Sequence, residues 1–324
     1  MTDDLVLVTG GAGFIGSHVA AALAMAGRRV VVCDRLRSAP KALNLVGTRV
    51  DAVVHPDGLG EWLGAYGGRL DAIVHMGAVS STAAGDADLV IQTNLTLSQS
   101  LWTYAAERGI RFVYASSAAT YGDGSAGFCA RMDRLDDLRP RGLYAWSKHL
   151  FDLWVRDHVH GRVGAHPRQW AGLKFFNIYG PGEWHKDQPS PFCGWVRDGR
   201  IRLLHHPVPG TTMARDFVHV DDAVAVVLWL LANPGVSGLF NVGTGKAVTW
   251  EEAVRIAVDH WPGPEKPVVE DGQIPSAWLH RYQAFTQADL TSLWAAGYTG
   301  TFRTVEDGVP GYLAWMAEQA LEVA

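Results

Sequence analysis

The sequence predicts an α/β protein: a Rossmann-type doubly wound parallel sheet with a smaller α/β lobe built from C-terminal segments. Three observations predict it. The chain opens on a short apolar strand, a glycine-rich turn Gly10-Gly11-Ala12-Gly13-Phe14-Ile15-Gly16 and a helical stretch. Strand and helix patterns then alternate at the spacing of βαβ units. Downstream, Tyr144 and Lys148 stand four residues apart, on one face of a helix.

The elements follow in order. Leu5-Val6-Leu7-Val8-Thr9 is the first strand, and residues 15–26 form a helix that Gly27 ends. Residues 29–34 make the next strand, finishing on Asp34. Two more strands are expected at 72–75 and 111–115, with a helix over 88–108 between them, closed by Gly109. A long helix over 143–159 carries Tyr144 and Lys148, and a strand returns at 170–176. After Pro181 the periodicity weakens, and 182–214, rich in Pro, His, Gly and Arg, reads as loops around a ligand pocket. A helix over 220–232 and a strand over 238–242 resume the pattern. The expected units are residues 1–177 with about 216–245 as the nucleotide-binding domain, and about 178–215 with 246–324 as the substrate lobe.

Composition narrows the class. The chain of 324 residues can bury a full core, and its net charge of −5 gives no reason to expect nucleic acid or a membrane surface as partner. Cys33, Cys129 and Cys193 have no CxxC spacing and read as reduced thiols of a cytoplasmic protein. Met1-Thr2-Asp3-Asp4 is acidic and lacks the charge pattern of a signal peptide. No apolar run approaches the roughly 20 residues that span a bilayer. The thirteen histidines form no HExxH and no accompanying Cys/Asp cluster, so no metal site is expected. There is no Gly-x-Ser-x-Gly elbow to support serine hydrolysis.

The glycine turn and the Tyr/Lys step carry the chemistry. Gly10, Gly13 and Gly16 between strand and helix let the backbone approach a pyrophosphate, which the helix N-terminus attracts. Asp34, ending the second strand, suits the ribose hydroxyls of NAD. Arg35, Arg37 and Lys41 follow at once, and such cations hold a 2′-phosphate, so spacing tips the balance only slightly to NADP. A Lys148 charge beside the Tyr144 phenol favours phenolate, pulling its pKa down from about 10. That would make Tyr144 a proton carrier for alcohol oxidation beside a hydride acceptor. Ser116-Ser117 follow a strand at its carboxyl end, and Ser117 by preference would hydrogen-bond the reacting oxygen.

At these residues the chain resembles the extended short-chain dehydrogenase/reductase superfamily, which modifies nucleotide-linked sugars. The widely shared motifs are Val8 to Ser17, Tyr114 to Gly122, Tyr144-x-x-x-Lys148 and Phe176-Asn177-Ile178-Tyr179-Gly180-Pro181. More specific are His185-Lys186, Arg215-Asp216-Phe217-Val218 and Arg281-Tyr282-Gln283-Ala284-Phe285-Thr286-Gln287-Ala288-Asp289-Leu290. Within the superfamily these resemble the ADP-L-glycero-D-manno-heptose 6-epimerase family, which inverts a heptose carbon for lipopolysaccharide core assembly.

The resemblance implies NADP as cofactor, a nucleotide sugar as substrate and a homo-oligomer, typically a pentamer. It implies that Phe14, Ile15 and Ile178 line the cofactor, that Asp34, Arg35 and Lys41 hold its adenosine end, and that Asn94 touches it. Lys148 would bind the nicotinamide ribose. Ser80, Asn177, Gln188, Arg215 and Tyr282 would contact the sugar nucleotide with Ser117. Tyr144 and Lys186 would be the two proton carriers of an inversion that passes through a ketone.

The chain departs from the family pattern at Met76, at Asp187-Gln188-Pro189-Ser190-Pro191 and at Leu203-Leu204-His205-His206-Pro207, all in the expected substrate wall. A sugar-nucleotide dehydratase or a related epimerase acting on a different nucleotide sugar, and a non-catalytic dinucleotide sensor, are the competing readings. Ala118-Ala119 after Ser117 argue against the dehydratase, because elimination of water commonly uses Asp-Glu there. The intact Tyr144 and Lys148 argue against the sensor.

Overall fold

Along the first strand, β1 (Leu5–Thr9), every residue is buried, yet alternate side chains face opposite layers. Val6 and Val8 enter one core and Leu5 and Leu7 the other. The period-two pleat sends successive side chains to opposite faces, and a strand buried on both faces is apolar throughout. The computed structural model describes residues 5–81 and 85–323; Met1 to Asp4 and Thr82 lie outside the described residues.

The strands β2 (Arg29–Cys33), β3 (Ala52–Val54), β4 (Leu70–His75), β5 (Arg111–Ser117) and β6 (Trp170–Phe175) join β1 in a parallel sheet. Short strands β7 (Asn177–Tyr179), β8 (Arg200–His205), β9 (Ala214–Arg215) and β10 (Phe217–His219) precede β11 (Gly238–Val242), which completes the sheet. Its order is β11-β6-β5-β4-β1-β2-β3, reversing direction between β1 and β4. That reversal opens a crevice at the carboxyl ends of the strands, where ligands bind in such sheets.

Helix α1 (Phe14–Met25) covers one face, and α2 (Ala39–Leu43) follows β2. Helices α3 (Leu59–Tyr66), α4 (Ala87–Ile91), α5 (Leu97–Arg108) and α6 (Leu143–Val159) come next, and α3, α5 and α6 pack on the opposite face. After α7 (Pro191–Asp198), helix α8 (Val220–Ala232) lies beside α1. The remaining elements are α9 (Trp250–Asp259), α10 (Ser276–Leu279), α11 (Thr291–Ala295), α12 (Val305–Val323) and two strands, β12 (Val248–Thr249) and β13 (Val268–Gln273). Outside the main sheet, β7 pairs with β10, β9 with β12 and β8 with β13. A separate core of Tyr179, Phe192, Phe217, Ile256, Leu313 and neighbours joins α7, α9 and α12.

Two sequence expectations need correction, and one strand carried no sequence signal. The span 182–214, read as loops, contains α7 and β8. Helix α7 starts on a Ser190 cap with Pro191 behind it and ends on Gly199 at φ 67°. Strand β8 exists because β13, far along the chain, pairs with it in parallel. The single helix expected over 88–108 instead begins at Ala87, capped by Asp86, and contains a π-helical turn over Gln92–Thr96 before α5. Finally, β3 is a three-residue edge strand too short to show a period. Among the described residues, no helix is long and apolar enough to cross a membrane.

One buried ion pair ties this framework together. Lys174 on β6 and Asp152 on α6 have fully buried side chains, with Nζ 2.7 Å from Oδ2. Ser116 and Tyr114 of β5 also donate to that carboxylate, at 2.7 and 3.1 Å. Lys174 gives a second bond to Thr120 Oγ1 at 2.7 Å. Replacing one partner strands the other charge in the core. Lys174→Met should therefore lose about 3–5 kcal/mol of folding stability, measured by urea denaturation. The double variant Asp152→Leu/Lys174→Met should recover much of that loss.

Candidate active site

Conformation and contact both demand the glycines of the loop. Gly10 has φ +66°, and a Cβ on it would stand 2.6 Å from the Gly77 nitrogen. A Cβ on Gly16 would stand 2.1 Å from the Gly10 carbonyl oxygen. Gly13 is the N-cap of α1 and has no side-chain cap, so the first-turn N–H groups face outward for an anion. The residues present therefore fit a dinucleotide pyrophosphate. Phe14 is buried, and Ile15 and Ile178 pack partly buried against the same core.

Asp34 is held from two sides: Ala12 N–H donates to Oδ2 at 3.0 Å and Lys41 Nζ to Oδ1 at 2.6 Å. Lys41 also donates to the Arg35 carbonyl at 2.8 Å. Arg35 pairs with Asp57, and both side chains are exposed. Asn44, which sequence reasoning missed, donates to the Ala12 and Gly182 carbonyls at 3.1 Å each. It joins the glycine loop to the segment carrying His185 and Lys186.

The Tyr/Lys pair sits at the start of α6. Tyr144 is half-buried in its first turn, and Lys148, one turn on, is buried with Nζ donating to the Ala115 carbonyl at 2.9 Å. Burial lowers the Lys148 pKa to about 8, with the Asp152 charge opposing. For Tyr144 the expected downward pull of Lys148 is not what dominates. Desolvation raises the phenol's pKa, and a hydrogen bond with Ser117 acts in the opposite direction. The ammonium is turned to Ala115 rather than to the phenol. Ser117 is itself buried at the end of β5, where its Oγ accepts the Ala119 N–H at 3.1 Å.

A cavity of about 300 Å³ opens in front of Tyr144. Tyr144, Asn177, Gln188, Arg215 and Tyr282 all line it, so these sequence-predicted residues meet in one place. Ala119, Arg141, Gly142, Ala145, Trp278, Arg281 and Gln283 complete the wall. Three arginines and no carboxylate stand among these lining residues, which suits an anionic ligand. Arg215 is buried, its guanidinium 5.0 Å from the Tyr282 ring centroid, and desolvation lowers its pKa. Gln283 donates to the Ala118 and Gly122 carbonyls at 3.2 and 2.6 Å, fixing the turn after Ser117. Arg281 and Gln283 fall in the segment that carried the family resemblance; Arg141 had no sequence signal. A second cavity, about 320 Å³, lies between the 205–213 stretch and Thr249–Glu251 and is bordered by His205, His206 and Met213.

Other expected residues stand elsewhere. Lys186 Nζ lies 5.2 Å from the Phe14 ring centroid and 3.9 Å from Glu183, outside the cavity lining. Ser80 is exposed on the loop after β4. Asn94 is buried in the π turn, with its amide bonded to the Val79 backbone and to Ser147 Oγ, so it reaches the site through those groups. Among the described residues no group of three or more His, Cys, Asp or Glu could hold a metal ion.

Known proteins are similar to this chain in sequence and in fold. Residues 6–243 match the NAD dependent epimerase/dehydratase family. An ADP-L-glycero-D-manno-heptose-6-epimerase of Nitratidesulfovibrio vulgaris is 43% identical, covering 95% of this chain and 97% of its own. The Fusobacterium nucleatum enzyme of the same name is 35% identical over 95% and 97%. The crystal structure of Helicobacter pylori ADP-L-glycero-D-manno-heptose-6-epimerase superposes with a TM-score of 0.76 at 27% identity, covering 96% of each chain. The chain belongs to the NAD dependent epimerase/dehydratase family, with ADP-L-glycero-D-manno-heptose-6-epimerases among its relatives.

Proposed function

We propose that this enzyme is an NADP-dependent epimerase that inverts C6 of ADP-D-glycero-D-manno-heptose. The observation that carries the reading is the meeting of Tyr144, Asn177, Gln188, Arg215 and Tyr282 around one cation-lined cavity, in a chain with relatives of that name. Residues 1–177 with about 216–245 would hold the dinucleotide, and about 178–215 with 246–324 the sugar nucleotide.

A carbinol C–H is too weak an acid to lose its proton directly, so inversion at such a carbon proceeds through a ketone. A nicotinamide held by the glycine loop and α1 would supply the hydride acceptance and return. Tyr144 takes the hydroxyl proton as phenolate, the form that the positive charge of an oxidised nicotinamide beside it would favour against desolvation, and Ser117 orients the oxygen. Lys148, held on the Ala115 carbonyl, binds the nicotinamide ribose. After the ketone turns over, its oxygen meets a different group, and Lys186 gives it a proton. Each turnover leaves Tyr144 protonated and Lys186 deprotonated, and one proton passing from Tyr144 to Lys186 through solvent resets the pair. Arg215 and Tyr282 bind the diphosphate, and Asn177 and Gln188 orient the sugar. The cavity at His205 and His206 receives the nucleotide end, adjoining through the chain from Met213 to Arg215.

For the cofactor, the Asp34–Lys41 pair supports NADP. Lys41 neutralises the carboxylate that would otherwise repel a 2′-phosphate, and Arg35 has only an exposed partner to release. A homo-oligomer is part of the proposal.

Incubation with ADP-D-glycero-D-manno-heptose and NADP should interconvert the two epimers, resolved by chromatography; no exchange despite bound dinucleotide would sink the substrate assignment. Tyr144→Phe and Lys186→Met should each lower kcat by about 10²–10⁴-fold while dinucleotide binding survives. Wild-type rates in the Lys186 variant would reject the second carrier. Arg35→Ala and Lys41→Ala should each weaken NADP about tenfold or more in fluorescence titrations, and NAD far less.

A further inference from the structure

Beneath the glycine loop, a line of buried polar groups runs from the dinucleotide site to the catalytic helix. His75 ends β4 at 1% exposure, with Nδ1 2.6 Å from Thr9 Oγ1 and Nε2 2.8 Å from Ser98 Oγ. Its neighbours decide which nitrogen carries the proton. Ser98 Oγ gives its one proton to the Asn94 carbonyl at 2.8 Å, so it must accept from Nε2–H. Burial and the nearby Lys148 charge keep the ring neutral. Nδ1 is then the bare nitrogen, and the Thr9 hydroxyl donates to it. The Thr9 oxygen in turn accepts the Gly77 N–H at 3.2 Å.

Both ends of this line touch the machinery. Gly77 is the backbone on which Gly10 rests. At the other end, Asn94 Nδ2 donates to Ser147 Oγ at 3.0 Å, and Ser147 donates to the Tyr144 carbonyl at 2.8 Å. Each proton along the line has one acceptor, so the line has a single direction. Reversing the imidazole would oppose a hydrogen to the Thr9 donor or a lone pair to Ser98, both of them buried.

We propose that His75, held as the neutral Nε2–H tautomer, is a positioning residue that locks the Gly10–Gly77 contact and the Asn94–Ser147 contact into one register. The glycine loop and the Tyr144/Lys148 helix are thereby preorganised as one unit. The proposal rests on the roles given above to Tyr144 and Lys148, and it makes no use of the sugar's identity.

The test is ¹⁵N NMR of the full chain labelled at histidine, with the His75 signals identified by their loss in His75→Gln. A neutral ring protonated on Nε2, unchanged from about pH 5 to 8, is expected. An Nδ1–H ring, or an imidazolium in that range, would overturn the proposal. Thr9→Val removes the donor to Nδ1 and Ser98→Ala the acceptor of Nε2–H. In the folded fraction, verified by thermal unfolding, each should weaken NADP and NAD alike by about five- to tenfold. Affinities within twofold of wild type in both folded variants would also overturn it. An enzyme acting on another sugar would leave these readouts unchanged, so a failed substrate assignment is separable from a failed positioning role.

Discussion

The buried Asp152–Lys174 pair is the constraint on which the rest of the molecule is hung. Two charges without water are costly unless every lone pair and proton finds a partner. Here Tyr114, Ser116 and Lys174 converge on Asp152, and Lys174 also satisfies Thr120. These groups come from β5, β6, α6 and the turn after β5, so only one relative placement satisfies them all. Lys148 stands one turn before Asp152 on α6, and Tyr144 one turn earlier. Anchoring Asp152 therefore sets where Tyr144 meets the end of β5. The network continues through Tyr121 to Asn241 on β11, whose amide holds the Phe128 and Asp289 carbonyls. Polar satisfaction in the core extends as far as the segment that supplies Tyr282 and Gln283.

Electrostatics then divides the site by function. Beside the glycine loop a carboxylate and an ammonium face each other, Asp34 against Lys41, and their charges cancel. The cavity before Tyr144 is lined by arginines, of which Arg141 pairs with Asp123 outside the lining. Arg215 is buried against Tyr282, and no lining residue is acidic. An anionic ligand gains most in such a place, because its charge replaces solvent the guanidinium has already lost. Between the two regions, Asn44 and His18 tie the glycine loop and α1 to the Pro181–Gly182 backbone. That brings the segment carrying Lys186 against Phe14.

Much of the framework was legible because its signals are local. The alternating burial of β1, the Gly10 turn and α6 follow from pleat, positive φ and helical period within a few residues. The helix α9 carries a local signal too, the Thr249/Glu252 capping box. Other features left no local trace. Strand β8 is defined by β13, more than sixty residues away. The π turn is visible only through the buried Asn94 and its bonds to Val79 and Ser147.

By itself the sequence determined the βαβ order, the glycine turn and the Tyr144-x-x-x-Lys148 spacing, since covalent geometry and side-chain periodicity act over one or two turns. Only the tertiary structure decided what those groups experience. Desolvation raises the Tyr144 pKa where the charge of a neighbouring lysine alone predicted a fall. Arg141, Arg281 and Gln283 join Asn177 and Arg215 in one wall though they lie far apart along the chain. Lys186 stands with Phe14 and Glu183, outside the cavity lining. Burial and long-range contact depend on what packs against a residue, and no local pattern encodes that.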